Sequence, residues 1–451
     1  MNITFLGGTE TVTGSKFLVE TSTSKILIDC GLYQGYKWLR LRNREPLPLD
    51  LKSLDAIVLT HAHLDHSGFI PVLYKQGFRG PVYTHQATIS LCSILLPDSG
   101  HIQEDDAKFY GKHKLSRHKN PQPLYDKATA EASLSLFQPI SFDQEFAIGD
   151  IKVVLQSAGH ILGAASVILQ ADGKRVGFSG DIGRYHDHIM YPAKPLPPLD
   201  LLMLESTYGN RLHDKEDPLT QLAEIVNLTA KNGGALLIPS FAVGRTESVL
   251  HMLAMLIKQQ RIPKLPIFLD SPMAINVFDL YCNYFDLIRL NKEQCFEMCN
   301  VASFTKTVDE SKALADLRIP HIIIAGSGMA TGGRILHHMK RLLGDYRTTI
   351  LFTGYLSGGT RGAKMIAGEH SVKIHGKWLP VKAEVKVLHG LSAHGDYQEL
   401  TQWLQSSKLH PKTKIRLVHG EPDASEAMRD HLMRNTQFDV EVARYHEILR
   451  L

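Results

Sequence analysis

A chain of 451 residues, 43% of them hydrophobic and 21% charged, exceeds one ordinary domain and can bury a large core, which excludes disorder over any long stretch. Its net charge of +4 is small for that length, so nucleic-acid binding cannot be read from it and any basic surface has to be local. Five cysteines without a CxxC pair exclude a zinc finger and suit reduced thiols serving as small buried hydrophobes.

The first residues, MNITFLGG, open as a strand and lack the basic start and apolar stretch of a secretion signal. No run reaches the roughly 18 apolar residues that cross a bilayer, so no membrane contact and a cytoplasmic location are expected. KFLVE and KILIDCG follow as half-buried strands, with glycines at 7, 8 and 14 supplying the turns. SLDAIVLT is a near-continuous apolar run, the pattern of a strand covered on both faces, and it stops at His61. GPVYTH reads as another strand, and positions 86–138 are mainly helical. Strands return in EFAIG, IKVVLQSAGH, SVILQA, KRVGFSGD and LDLLMLEST, and this sheet-rich part ends at 207. Beyond it GGALLIPS, LPIFLDSP, HIIIAGSG and TTILFTGY alternate with helical patterns, which implies a parallel sheet with helices on its faces. The expected organisation is therefore an α/β chain with a first domain built from 1–207 and 376–451 and a second domain, 208–375, inserted into it. AEVKVLHG, KIRLVHGE and VEVARYHEIL are expected to rejoin the first domain.

The most informative segment is THAHLDHSG, residues 60–68, directly after the buried strand. His61, His63, Asp65 and His66 serve no packing purpose side by side, and they would repel one another on protonation. A cation resolves this, because imidazole nitrogen and carboxylate oxygen suit zinc. In an extended segment His61 and His63 point the same way, and Asp65 and His66 then turn toward a neighbouring position. His160, Asp181 and His419 each lie just past the end of an apolar strand, where loops build sites on a rigid scaffold.

HAHLDH, the isolated AGH, SGD and the late VHG resemble the metallo-β-lactamase superfamily, in which two β-sheets pack between helices in an αββα sandwich with a paired metal centre at one edge. The resemblance implies that His61, His63 and His160 bind a first metal, that Asp65, His66 and His419 bind a second, and that Asp181 bridges them. Asp29 in KILIDCG matches the first motif and is expected to accept a hydrogen bond from a ligand imidazole. The inserted domain, LESTYG, LSAHGD and the histidine at 419 resemble the β-CASP branch, whose members process nucleic acids and include ribonuclease J and the endonuclease of messenger-RNA 3′-end cleavage.

That resemblance implies two zinc ions, with manganese or iron as alternatives, and hydrolysis of RNA phosphodiester bonds in endo- or exonucleolytic mode. Such a pair activates water and clamps a phosphate oxygen. Asp65 is expected to orient the attacking water, His394 to protonate the leaving oxygen, and Glu205 to hold His394 and raise its pKa. His394 is preferred to the nearby His389 because SAHGD matches the motif. The histidine at 419 favours RNA over DNA by family association. IPSFAVGRTES and AGSGMATGGR have the strand-loop-helix layout of anion sites and make Arg245, Ser327, Gly328 and Arg334 candidate substrate-binding residues. The basic stretch at 113–123 reads mainly as a solvated loop, and the dispersed aromatic residues give no stacking platform. Single-stranded RNA is the expected partner, with a homodimer as the assembly to test. The rival readings are a hydrolase of small esters or thioesters and a non-catalytic RNA-processing scaffold.

Overall fold

In the computed structural model, two units divide the chain: Met1–Leu212 with His394–Leu451, and His213–Ala393. The structure describes residues 1–113, 120–214, 216–241, 243–354, 356 and 358–451, with only the backbone of 315 and 389. Most of the basic stretch at 113–123 and the side chain of His389 therefore lie outside the described residues.

The first unit begins with β1 (Asn2–Gly7), β2 (Lys16–Glu20), β3 (Lys25–Ile28), β4 (Ala56–Val58), β5 (Val82–Thr84) and β6 (Phe137–Pro139). It continues with β7 (Glu145–Ile148), β8 (Ile151–Ser157), β9 (Ala165–Ala171), β10 (Lys174–Phe178) and β11 (Leu201–Glu205). The second unit contributes β12 (Ala235–Ser240), β13 (Ile267–Asp270), β14 (Ser303–Phe304), β15 (His321–Gly326), β16 (Thr349–Phe352), β17 (Ser371–Ile374), β18 (Lys377–Pro380) and β19 (Glu384–Val387). The chain then closes the first unit with β20 (Lys414–Val418), β21 (Asp439–Val442) and β22 (Ile448–Arg450).

In the first unit the strands form two seven-stranded sheets, β22-β1-β2-β3-β4-β5-β6 and β21-β20-β11-β10-β9-β8-β7. Their facing sides interdigitate Phe5, Phe17, Ile26 and Val58 with Val153, Val167, Phe178 and Met203 in one core. The helix Gln86–Lys112 packs beside β6, and Pro422–Asn435 packs beside β20 and β21, so helices flank the paired sheets. This is the expected αββα sandwich. The strands read as such for a physical reason. β4 and β11 lie between parallel neighbours and are buried along their whole length. β8, near the antiparallel edge, instead alternates buried and exposed side chains. β8, β10, β11 and β20 run in the same direction, so the segments after them emerge at one edge of the sheet.

The second unit is a six-stranded sheet, β14-β13-β15-β12-β16-β19, in which every pairing is parallel. Helix Pro218–Lys231 leads into it, helices Arg245–Lys258 and Arg334–Leu342 connect its strands, and Ile323, Ile335, Met339, Ile350 and Phe352 build its core. One expectation is corrected here. The strand in AEVKV does not rejoin the first unit at 376 but lies parallel to β16, pairing Ile350 with Val385, and the return falls at His394. A short alternating strand carries no mark of which sheet receives it, and β16 offered an open edge.

Candidate metal centre

The loops after β4, β8, β10 and β20 bring the expected ligands to one edge of the sandwich. After β4 the chain stays extended to His63, whose φ and ψ are −56° and 145°, and then coils into the short helix Leu64–Ser67. That switch sends Asp65 and His66 to a different side from His61 and His63. A second constraint holds the helix in place. A Cβ at residue 31 would sit 1.5 Å from the Asp65 carbonyl oxygen, so only glycine lets the loop after β3 approach so closely.

Two groups of ligand atoms form. Nδ1 of His63 lies 3.1 Å from Nε2 of His61 and 3.2 Å from Nε2 of His160, and these last two stand 3.4 and 3.5 Å from Oδ2 of Asp181. On the other side, Nε2 of His66 lies 3.1 Å from Nε2 of His419 and 3.3 Å from Oδ1 of Asp181, while His419 Nε2 is 3.5 Å from Oδ2 of Asp65. Asp181 thus turns one oxygen to each group.

These spacings fit metal ions. A tetrahedral zinc ion with bonds of ~2.0–2.1 Å sets neighbouring ligand atoms about 3.4 Å apart. Oδ1 of Asp181 is buried yet accepts no hydrogen bond among the described residues, an unmet anionic oxygen facing imidazole nitrogens. Burial holds the imidazoles of His61 and His63 down to about 3 and about 4, and takes His160 well below its usual range. These rings are neutral at physiological pH, with lone pairs for a cation. Burial also presses on His66, but Asp181 and Asp29 outweigh it and raise its pKa well above the ordinary value. Burial opposes ionisation of Asp181 as well, yet His419 and His66 keep its carboxyl well below the carboxylate range.

Around these atoms lies a layer of fixed partners. Asp29 accepts from His66 Nδ1 at 2.7 Å, from the Thr60 backbone N–H at 2.8 Å and from the Thr60 hydroxyl at 2.9 Å. Thr60 Oγ1 also lies 3.0 Å from Nδ1 of His61, and Thr207 Oγ1 lies 3.0 Å from Nδ1 of His419. The two threonines were not singled out from the sequence. Thr60 at least stands next to His61 in the sequence, whereas Thr207 is 212 positions from His419 and carries no local signal of that contact. Lys16 had none, since in KFLVE it reads as a solvated residue. It is buried instead, with Nζ donating to the Gly31 carbonyl at 2.5 Å between the rings of Tyr33 and Phe69.

Glu205 is fully buried, and its carboxylate accepts from the Ile182 N–H at 2.5 Å. Its Oε2 lies 3.0 Å from Nδ1 of His394, which is 3.9 Å from Oδ2 of Asp181. The His394 side chain retains 16% exposure, so this imidazole reaches solvent beside the ligand cluster. Burial lowers its pKa, but Glu205 and Asp181 raise it above the usual value.

Of the expected substrate residues, Arg245 follows β12, while Ser327 and Gly328 follow β15. These strands are paired neighbours, so both loops leave one edge of the second unit's sheet. The Arg245 guanidinium lies against Gly354, where an added Cβ would come 2.0 Å from Nη1, and the Phe241 ring covers Gly328. Ser327 turns its hydroxyl to Thr331 at 3.0 Å. Arg334 does not join them. Its guanidinium donates to Asp270 at 2.6 Å and to the carbonyls of Thr305 and Lys306, because a buried carboxylate at the end of β13 needs a cation more than an exposed loop does.

Comparison with known proteins adds three family matches: a beta-lactamase superfamily domain over residues 24–240, a Beta-Casp domain over 246–365, and a Zn-dependent metallo-hydrolase RNA specificity domain over 378–443. The chain is 35% identical to Ribonuclease TTHA0252 of Thermus thermophilus, covering 99% of both chains. It is 30% identical to an RNase J-like protein of Methanocaldococcus jannaschii, covering 92% of each. Transcription termination factor FttA of the same organism is 30% identical, with 93% of this chain and 67% of the relative matched. A crystal structure of an Enterococcus faecalis protein of unknown function shares the fold with a TM-score of 0.55 at 14% identity, covering 100% of this chain and 99% of that one.

Proposed function

The chain belongs to the β-CASP branch of the metallo-β-lactamase superfamily, and on that premise we propose that it is a metal-dependent ribonuclease hydrolysing phosphodiester bonds of single-stranded RNA. The observation that carries this reading is the division of Asp181 between two groups of ligand atoms, with one buried oxygen left unmet. His61, His63 and His160 would hold one zinc-class cation and Asp65, His66 and His419 a second, with Asp181 available to both through its two oxygens. When bound, such a pair supplies Lewis acidity to a phosphate oxygen and eases deprotonation of water.

The chain's own residues do the rest. Asp65 accepts a hydrogen bond from the attacking water and aims it. His394 carries a proton on the imidazole edge facing away from Glu205 and delivers it to the departing ribose oxygen, a contribution of roughly 10²–10⁴-fold. Glu205 fixes the ring through Nδ1 and favours its protonated form. Asp29 holds His66 in the tautomer that leaves Nε2 free for a cation. Arg245, Ser327 and Gly328 form an anion site for backbone phosphates. A homodimer is the assembly to test by light scattering.

The test is digestion of end-labelled RNA bearing either a 5′-hydroxyl or a 5′-phosphate, with elemental analysis of the same preparation. Asp181→Ala is expected to lose bound metal and cleavage together, and His394→Ala to keep its metal while cutting at least about 100-fold more slowly. Parent-like cleavage by both variants refutes the reading.

A further inference from the structure

An exposed helix lies on the path that leaves the metal loops. Leu32 donates its N–H to the Leu64 carbonyl at 2.8 Å, and four residues later the chain reaches Tyr36, a span of at most about 14 Å. The helix Lys37–Arg42 that follows, KWLRLR, carries three cations and no carboxylate. Trp38 is 53% exposed and Tyr36, which caps the helix, 44%, so two aromatic rings stand in solvent beside the cations. The Arg42 guanidinium sits 5.0 Å from the Trp38 ring centroid and 4.1 Å from that of Tyr445, a residue brought over from the far end of the sequence. Among the described residues, Lys37, Arg40 and Arg42 form no ion pair with a carboxylate.

We propose that this helix is a docking surface for single-stranded RNA, with a base stacked on Trp38 and phosphates held by Lys37 and Arg40. The chemistry selects that occupant. An exposed indole already fixed from one side by a stacked guanidinium offers its other face to a flat, uncharged ring at little entropic cost, and every nucleobase has one. Cations without carboxylate partners attract a polyanion and release its counterions on contact. The modest overall charge hid this footprint, because it is concentrated on one short helix. The proposal rests on the ribonuclease reading and deepens it, since the helix begins at most about 14 Å along the chain from the metal loop, a distance that a few nucleotides can span.

The experiment compares the parent with Trp38→Ala, Trp38→Phe and the double variant Lys37→Glu/Arg40→Glu on a single-stranded RNA of about 20 nucleotides and on bis(p-nitrophenyl) phosphate. Trp38→Ala is expected to raise KM for RNA about tenfold with kcat nearly unchanged, and to leave hydrolysis of the small phosphodiester as in the parent. Trp38→Phe restores much of the loss, and the charge-reversed variant also flattens the dependence of Kd on salt, read by fluorescence anisotropy in an Asp181→Asn background. Circular dichroism confirms that each variant folds. Parent-like KM and Kd in both Trp38→Ala and the charge-reversed variant overturn the proposal, including in favour of a protein partner. If the parent binds RNA through this helix yet cuts none, the ribonuclease reading fails while the surface stands.

Discussion

Asp29 and His419 both occupy left-handed backbone conformations, with φ of 57° and 50°, which cost a non-glycine residue of order 1 kcal/mol or more. The strain is retained because each side chain is fixed by partners that only this backbone permits: His66 and Thr60 for Asp29, Thr207 for His419. For Asp29 the consequence is measurable. Replacing it with alanine removes the acceptor that fixes the His66 ring while leaving every proposed ligand in place. Metal affinity is expected to fall about 10–100-fold, read as zinc retained during titration with a chromogenic chelator. Retention equal to the parent's would reduce Asp29 to a turn residue.

Among the elements, the second unit's sheet depends on a buried charge at the end of β13. Asp270 accepts from Arg334 at 2.6 Å, from His338 at 2.6 Å and from Ser311 at 2.5 Å, joining the helix Arg334–Leu342 to the segment after β14. The same arrangement explains why Arg334, plausible as a phosphate ligand in the sequence, is committed to structure. Asp270→Ala leaves a guanidinium and an imidazole without their acceptor, so a loss of about 3 kcal/mol in urea unfolding is expected.

For the whole molecule, the ligand cluster makes metal-free protein sensitive to acid. His61, His63 and His160 have folded pKa values depressed by burial, so below their unfolded value of about 6.5 the unfolded chain binds more protons and stability falls. Asp65 and Asp181, also depressed, add to the loss at still lower pH. His66, raised, acts oppositely: it stabilises below the unfolded value and loses that contribution as pH rises through its folded one. Denaturation of chelator-stripped protein should therefore give a lower midpoint at pH 5 than at pH 7, and added zinc should raise the midpoint strongly at pH 7 but little at pH 5, where protons compete for the ligands. A metal-free midpoint that rises on acidification would show that the three imidazoles are not buried neutral.

The sequence by itself marked most of the longer strands and the candidate ligands that the fold brings together, because those depend on local pattern: apolar runs of the right length, and four side chains suited to metal within six positions after one of them. It missed short strands such as β14, β17 and β18, and it read β2 as half-buried where four of its five residues are buried. Even Glu205 and His394, 189 residues apart, could be paired in advance through their motifs. Only tertiary structure decided which sheet took the strand at 384–387, that Asp270 rather than a loop anion holds Arg334, and that Lys16 is buried behind the metal loop. It also gathered Trp38, Arg42 and Tyr445 into one face, where the sequence offered only dispersed rings. The physical reason is the same for each. Periodicity records the burial expected of apolar residues, whereas the partner of any residue, and the burial of a charged one such as Lys16 that a partner permits, depends on the closure of long loops, and nothing local in the chain encodes that.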